Sequence, residues 1–202
     1  MPTDQRVHGP AEAKRRLVLL HGWGADADDL IDLGQELAGP AIGLVGLRAP
    51  EPHPQGMGRQ WYDLQNPLWP ELVAAARQAL QLRLLQLGEQ VPLENTVLLG
   101  FSQGAAMAVD VASTLPLAGV IGCSGYPHPD WLPRGPLPRV LLTHGREDPV
   151  VPFAASERLQ LLLQGAGGKA ELLGFSGGHS IDPALFPQLR TFLQDQLGAA
   201  PA

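Results

Sequence analysis

The 202-residue sequence predicts an α/β fold: a mainly parallel sheet covered by helices on both faces. Three observations carry this. Short apolar runs alternate with helix-period segments along the chain. The runs are near-continuous in Leu, Val and Ile, as in strands buried on both sides. The 24 glycines and 20 prolines cluster between the segments and punctuate them. No repeat or linker interrupts the alternation, so residues 1–202 read as one domain.

Residues 16–21 (RLVLLH), cut off by Gly22 and Gly24, form the first expected strand. Asp26, Asp28 and Asp29 then precede Leu30, Ile31, Leu33 and Leu37 at helical spacing. One aspartate is expected to cap this helix and the others to favour its positive end. The same acidic run lacks the glycine and distal glutamate of a calcium loop, so no metal is expected there. Residues 41–47 form a second strand. Residues 48–69 are a long, proline-punctuated connection carrying Trp61, Tyr62 and Trp69, expected to be ordered and packed. Residues 71–88 place Leu72, Val73, Leu80, Leu84 and Leu87 on one helical face. Residues 96–101 form a third strand and 103–115 an alanine-rich helix suited to close packing. Strands at 117–124 and 139–144, a helix at 153–165, a strand at 169–175 and a helix at 183–197 complete the order.

Net charge is −6 and the pI about 5.4, so nothing draws the chain to nucleic acid or an anionic membrane. Lys14-Arg15-Arg16 reads as a solvated strand entrance, not a phosphate patch. Cys123 is the one cysteine, which rules out an internal disulfide and suits a small buried thiol. The first residues contain no apolar signal core, and no apolar run reaches the roughly 18 residues of a membrane span. A soluble, reducing, cytoplasmic setting is expected.

Ligands of such folds bind beyond the carboxyl ends of the strands, and the chemistry-bearing residues stand there. Gly100-Phe101-Ser102-Gln103-Gly104 is a G-x-S-x-G between a strand and a small-residue helix, the sharp turn that lifts a serine hydroxyl out of a sheet. With six serines in the chain, composition yields roughly 0.1 chance matches. A serine hydroxyl is a weak nucleophile at neutral pH and needs a base. In the α/β-hydrolase order the acid and then the histidine follow the nucleophile. Among the aspartates beyond the 103–115 helix, Asp130, Asp148, Asp182 and Asp195, Asp148 follows a strand within HGREDPVVP, where the orienting acid belongs; Glu147 is its close competitor. His179, in Gly177-Gly178-His179-Ser180, lies between the last strand and the last helix, and its glycines would let the backbone approach the serine. His144 ends its own strand and reads as structural. His128 lies in a proline-rich loop with no strand to position it. The loop His21-Gly22-Trp23-Gly24 follows the first strand. Its Trp23 N–H and the Gln103 N–H are the expected donors of an oxyanion hole, with His21 bracing the loop.

On these residues the chain resembles the phospholipase/carboxylesterase family of α/β-hydrolases, which includes carboxylesterases and acyl-protein thioesterases. The matching segments are LLHGWG (19–24), RAP and WYD (48–50, 61–63), GFSQG (100–104), HGREDPVVP (144–152) and GGHSI (177–181). The resemblance implies an α/β-hydrolase fold without a cap domain and a catalytic triad of Ser102, Asp148 and His179. It also implies oxyanion amides from Trp23 and Gln103, and metal-free, cofactor-free hydrolysis of short- to medium-chain esters. Thioesters or lysophospholipids are the alternative substrates, and a non-catalytic binding module is the reading from a different class. The family often has leucine at position 23, aspartate at 25 and glycine at 105. Trp23 keeps the backbone donor and adds bulk beside the acyl site. Residues 125–138 are too few for a lid domain. Trp61, Tyr62, Trp69 and Tyr126 are the candidate substrate-binding aromatics, with Trp131 beside them. Exposed aromatics near these loops would also suit a homodimer.

Overall fold

A computed structural model describes residues 4–198. Its strands are β1 (Gln5–His8), β2 (Arg16–Leu20), β3 (Gly43–Leu47), β4 (Glu51–Pro52), β5 (Arg59–Gln60), β6 (Thr96–Phe101), β7 (Gly119–Cys123), β8 (Arg139–Gly145) and β9 (Ala170–Phe175). Its helices are α1 (Ile31–Ala38), α2 (Trp69–Gly88), α3 (Gln103–Ala112), α4 (Phe153–Gly165) and α5 (Phe186–Leu197), with one-turn 3₁₀ segments at Leu93–Asn95 and Pro183–Leu185. Seven strands form the main sheet in the order β1-β3-β2-β6-β7-β8-β9. All neighbours are parallel except β1, which pairs antiparallel with β3 at the edge.

Alternate residues of each strand feed two cores, as a period of two requires. Val18, Leu20, Leu98, Val120, Val140 and Leu142 face α2, α3 and α4, meeting Leu80, Leu84, Met107 and Leu159. Leu17, Leu19, Val97, Leu99, Ile121 and Leu141 face the other way, meeting Leu37 of α1 and Leu189, Phe192 and Leu193 of α5. Helices therefore cover both faces. Strand order reverses at β2, which lies between β3 and β6, so the crevice at the β2 and β6 carboxyl ends is where this topology places a ligand.

Two elements are added to the expected order and two local expectations need correction. The edge strand β1 lies in a segment whose apolar content is too low to announce it; pairing with β3 creates it. The long 48–69 connection contains the two-stranded ribbon β4–β5, with Glu51 opposite Gln60. No aspartate caps α1, whose N-cap is Leu30. Asp26 and Asp28 are instead drawn into ion pairs with Arg48 and Arg6. Finally, Arg16 is not solvated. It is 3% exposed and donates to the Leu87 and Val91 carbonyls and the Thr96 hydroxyl at 2.8, 2.9 and 3.1 Å. Burial lowers its pKa to about 10. It ties the carboxyl end of α2 and the turn after it to β6, adding a side-chain donor to a Leu87 carbonyl that the Gln90 and Val91 amides also reach.

Arg16→Ala would remove the buried donor shared by the Leu87 and Val91 carbonyls and the Thr96 hydroxyl. The expected loss of stability is about 3 kcal/mol, read as a lower urea midpoint; an unchanged midpoint would show that the guanidinium does not hold this helix end.

Candidate active site

The turn after β6 determines the geometry of the site. A Cβ at Gly100 would stand 2.3 Å from the Gly104 carbonyl oxygen, and one at Gly104 would stand 2.1 Å from the Leu20 oxygen. Only glycine lets α3 start so close to β6 and β2. Between them Ser102 adopts φ 53°, a left-handed value that a side chain seldom tolerates. Its amide donates to the Cys123 carbonyl at 2.8 Å, tying the turn to β7. The result is a serine hydroxyl raised above the sheet edge.

His179 reaches that hydroxyl. Its Nε2 lies 2.9 Å from Ser102 Oγ and its Nδ1 2.6 Å from Asp148 Oδ2. The Phe101 ring packs against the imidazole with centroids 4.9 Å apart. The reason His179 can come so near is Gly145, not the flanking glycines alone. A Cβ at Gly145 would stand 2.2 Å from the Gly178 oxygen and 2.3 Å from that of Gly177, so the turns after β8 and β9 touch through bare backbone. Arg146 N–H donates to the Phe175 carbonyl and Glu147 N–H to that of Gly177, which also turns Glu147 away as an exposed residue.

The Asp148 side chain is fully buried. Oδ1 accepts the Val150 and Val151 amides at 2.8 and 2.9 Å. His144 Nε2 stands 3.2 Å from Oδ2 and also donates to the Val151 carbonyl at 2.9 Å. Burial works to raise the Asp148 pKa, but the bonds from His179, Val151 and Val150 outweigh it and hold the carboxyl below its ordinary value. The carboxylate is thus kept ionised in a dry place.

Facing Ser102 is the loop after β2. A Cβ at Gly22 would stand 3.5 Å from that of Ser102. The Gln103 amide opens α3 and the Trp23 amide lies in this loop; neither has an acceptor among the described residues. His21 braces the loop from behind, donating from Nδ1 to the Gly22 carbonyl and accepting the Ala49 amide at Nε2. Burial lowers its pKa, which suits this neutral bonding pattern. The Trp23 indole is occupied elsewhere. It donates to Gln60 Oε1 at 2.7 Å and lies edge-on to the His53 ring.

The aromatic set divides. Trp61 and Tyr62 are each 2% exposed and packed inward. The Trp61 indole donates to the His21 carbonyl, and the Tyr62 hydroxyl bonds Tyr126 at 2.7 Å and His128 at 2.9 Å. The surface left to them borders a groove of about 490 Å³ beside Leu72, Ala76 and Ala79 of α2, whose lining includes neither Ser102 nor His179. Trp69 is half-buried and stacks on Tyr62 with centroids 5.6 Å apart. Tyr126 is half-buried on the sheet edge that carries Ser102, and burial pushes its pKa up to about 12. Trp131 is buried against α3, so it, Trp61 and Tyr62 form no exposed aromatic face. From sequence His128 has nothing to position it and Asp110 passes unnoticed. The structure buries both and joins them, Nδ1 to Oδ2, at 2.5 Å. Arg77 pairs with the same carboxylate.

Comparisons with known proteins identify the family. The profile of the family described as Phospholipase/Carboxylesterase matches residues 3–197. The crystal structure of esterase PE8 superposes with a TM-score of 0.87 at 32% identity, covering 96% of this chain and 99% of that one. Esterase YpfH of Escherichia coli is 29% identical over 84% of this chain and 78% of its own length. Acyl-protein thioesterase 1 of Gibberella zeae is 33% identical over 52% of this chain and 49% of its own. The Bacillus cereus carboxylesterase shares the fold, with a TM-score of 0.82 at 20% identity over 95% of this chain and 93% of that one. With its described sheet, helices and the turn at Ser102, the chain belongs to the phospholipase/carboxylesterase family of α/β-hydrolases.

Proposed function

We propose that this protein is a serine carboxylesterase in which Ser102 attacks the ester carbonyl, His179 takes the serine proton and Asp148 stabilises the imidazolium. The observation that carries this reading is the unbroken chain from Asp148 through His179 to the Ser102 hydroxyl, with both bonds under 3 Å at 2.6 and 2.9 Å. Attack places negative charge on the carbonyl oxygen, and the Trp23 and Gln103 amides would receive it, each donor being worth about 3–4 kcal/mol at the transition state. His179 then passes its proton to the leaving alcohol. Water activated by the same histidine cleaves the acyl-enzyme and restores the serine.

An ester or thioester of a short to medium acyl chain is the substrate class. Tyr126, at the Ser102 edge, and Trp69 border the substrate side, and Trp23 narrows it. Residues 125–138 carry no helix or strand, so no cap covers the crevice from that loop. Among the described residues no helix is long and apolar enough to cross a membrane.

Ser102→Ala is expected to abolish hydrolysis of a small aryl ester with the urea midpoint unchanged, and a fluorophosphonate probe should label the parent protein, but not the variant, once per chain. Undiminished turnover in the variant would end the proposal. Aryl esters of increasing length, run beside an acyl-cysteine peptide, rank oxygen esters against thioesters.

Asp148→Asn should lower kcat about 10⁴-fold, because an amide cannot hold the imidazole in the required tautomer. It should also change the acid response of folding. With a depressed folded pKa, the ionised carboxylate adds stability above its ordinary value of 3.8 and loses that contribution as pH falls through the lower folded value. The stability gap between parent and variant, measured by urea unfolding, should therefore be full at neutral pH and close on acidification. A gap constant throughout would contradict the assignment.

A further inference from the structure

Resting on the reading above, the geometry points to a second buried histidine–carboxylate pair, Asp110 and His128, acting as a positioning device for the oxyanion hole. It works by clamping Tyr62 and with it the strap of residues 59–62.

The strap touches both halves of the hole. Arg59 exchanges backbone bonds with the Trp23 loop: Gly24 N–H donates to its carbonyl at 2.9 Å, and its own N–H donates to the Ala25 carbonyl at 2.7 Å. Gln60 takes the Trp23 indole N–H, and the Trp61 indole donates to the His21 carbonyl. On the other side the Gln103 side chain grips the strap twice. Its Oε1 accepts the Trp61 amide at 2.9 Å and its Nε2 donates to the Tyr62 carbonyl at 2.8 Å. A shift of the strap would therefore move the Trp23 loop against Gln103, and the spacing of the two proposed donors with it.

Tyr62 is the strap's fixed end. Gln103 holds its backbone, and Asp110, through His128, holds its hydroxyl. Gln103 and Asp110 lie seven residues apart on α3, hence on one helical face and separated by about 10 Å along the axis. One rigid element thus grips one tyrosine at both extremities. The pair itself is well held. Arg77 pairs with both Asp110 oxygens, and the Trp131 indole and the Ser113 hydroxyl donate to the Asp110 carbonyl. Neutral His128 with its proton on Nδ1 satisfies every partner: it donates to Asp110 and accepts the Tyr62 hydroxyl at Nε2, while Tyr126 donates to Tyr62. The arrangement repeats the Asp–His–hydroxyl order of the site with a phenol as its last member, and the phenol positions where the serine reacts.

Three variants separate positioning from bulk stability. His128→Asn offers an amide near Nδ1, keeping the Asp110 contact and losing Tyr62. His128→Gln reaches the Nε2 position and restores the Tyr62 bond. Tyr62→Phe deletes the hydroxyl alone. Oxyanion donors act on the transition state, so H128N and Y62F should each lower kcat on the order of tenfold with KM within about twofold. Affinity for an alkyl boronic acid, which forms a tetrahedral adduct on the serine, should fall in parallel. H128Q should recover most of the kcat lost in H128N. Urea unfolding of each variant, and stoichiometric fluorophosphonate labelling of the parent, run alongside. Parent kcat and boronate affinity in both H128N and Y62F, whatever their urea midpoints, would overturn the inference while labelling leaves the serine assignment standing. Should H128N not fold, Y62F with parent kcat overturns it alone.

Discussion

The approach of α3 to the ends of β6 and β2 is the contact on which the site depends. Gly104 lies so close to the Leu20 carbonyl, and Gly100 to the Gly104 carbonyl, that no side chain fits at either point. The same squeeze leaves Ser102 in a left-handed conformation that the Cys123 carbonyl helps to hold. Relax this contact and the hydroxyl sinks, the Gln103 amide turns away and the Gly22 loop loses its neighbour. The strain is local, and the buried strands on either side keep it in place.

Two carboxylates are placed around that turn with different tasks. Asp148 holds an imidazole facing the serine, in a shell of backbone amides that keeps it charged without water. Asp110 holds an imidazole facing a phenol, with Arg77 balancing its charge. A buried carboxylate is stabilising only when its oxygens are engaged. Both are engaged with more than one partner, so each can fix a ring orientation. In the proposed mechanism one orientation serves proton transfer and the other keeps the amide donors in register, which links core polarity to the chemistry at the surface.

The legible parts of the site are those written in local pattern. Ser102 shows itself through a glycine-serine-glycine spacing between strand and helix. Asp148 and His179 follow it in order, each just past a strand, because the crossover topology delivers strand ends to one edge. His128 and Asp110 have no such signature. One lies in a proline-rich loop and the other in a helix whose small residues speak only of packing; their meeting depends on how that loop folds over α3. Trp61 and Tyr62 read as packed loop aromatics, but their partners do not show in the sequence: Gln103, His21 and His128 supply bonds that a loop in isolation lacks. Arg16 belongs to a basic run but is drawn inside by the carbonyls of Leu87 and Val91, at and just past the end of α2.

By itself the sequence determined the layer order, the strands buried on both faces and which serine, carboxylate and histidine would follow the strand ends that meet at one edge, since periodicity and turn chemistry act over a few residues. Tertiary structure alone decided the edge strand β1, the inward turn of the strap, the second histidine–carboxylate pair and the burial of Arg16. Each of these arises from a hydrogen bond or close contact between segments far apart along the chain, and only packing reveals which partner a polar group will find.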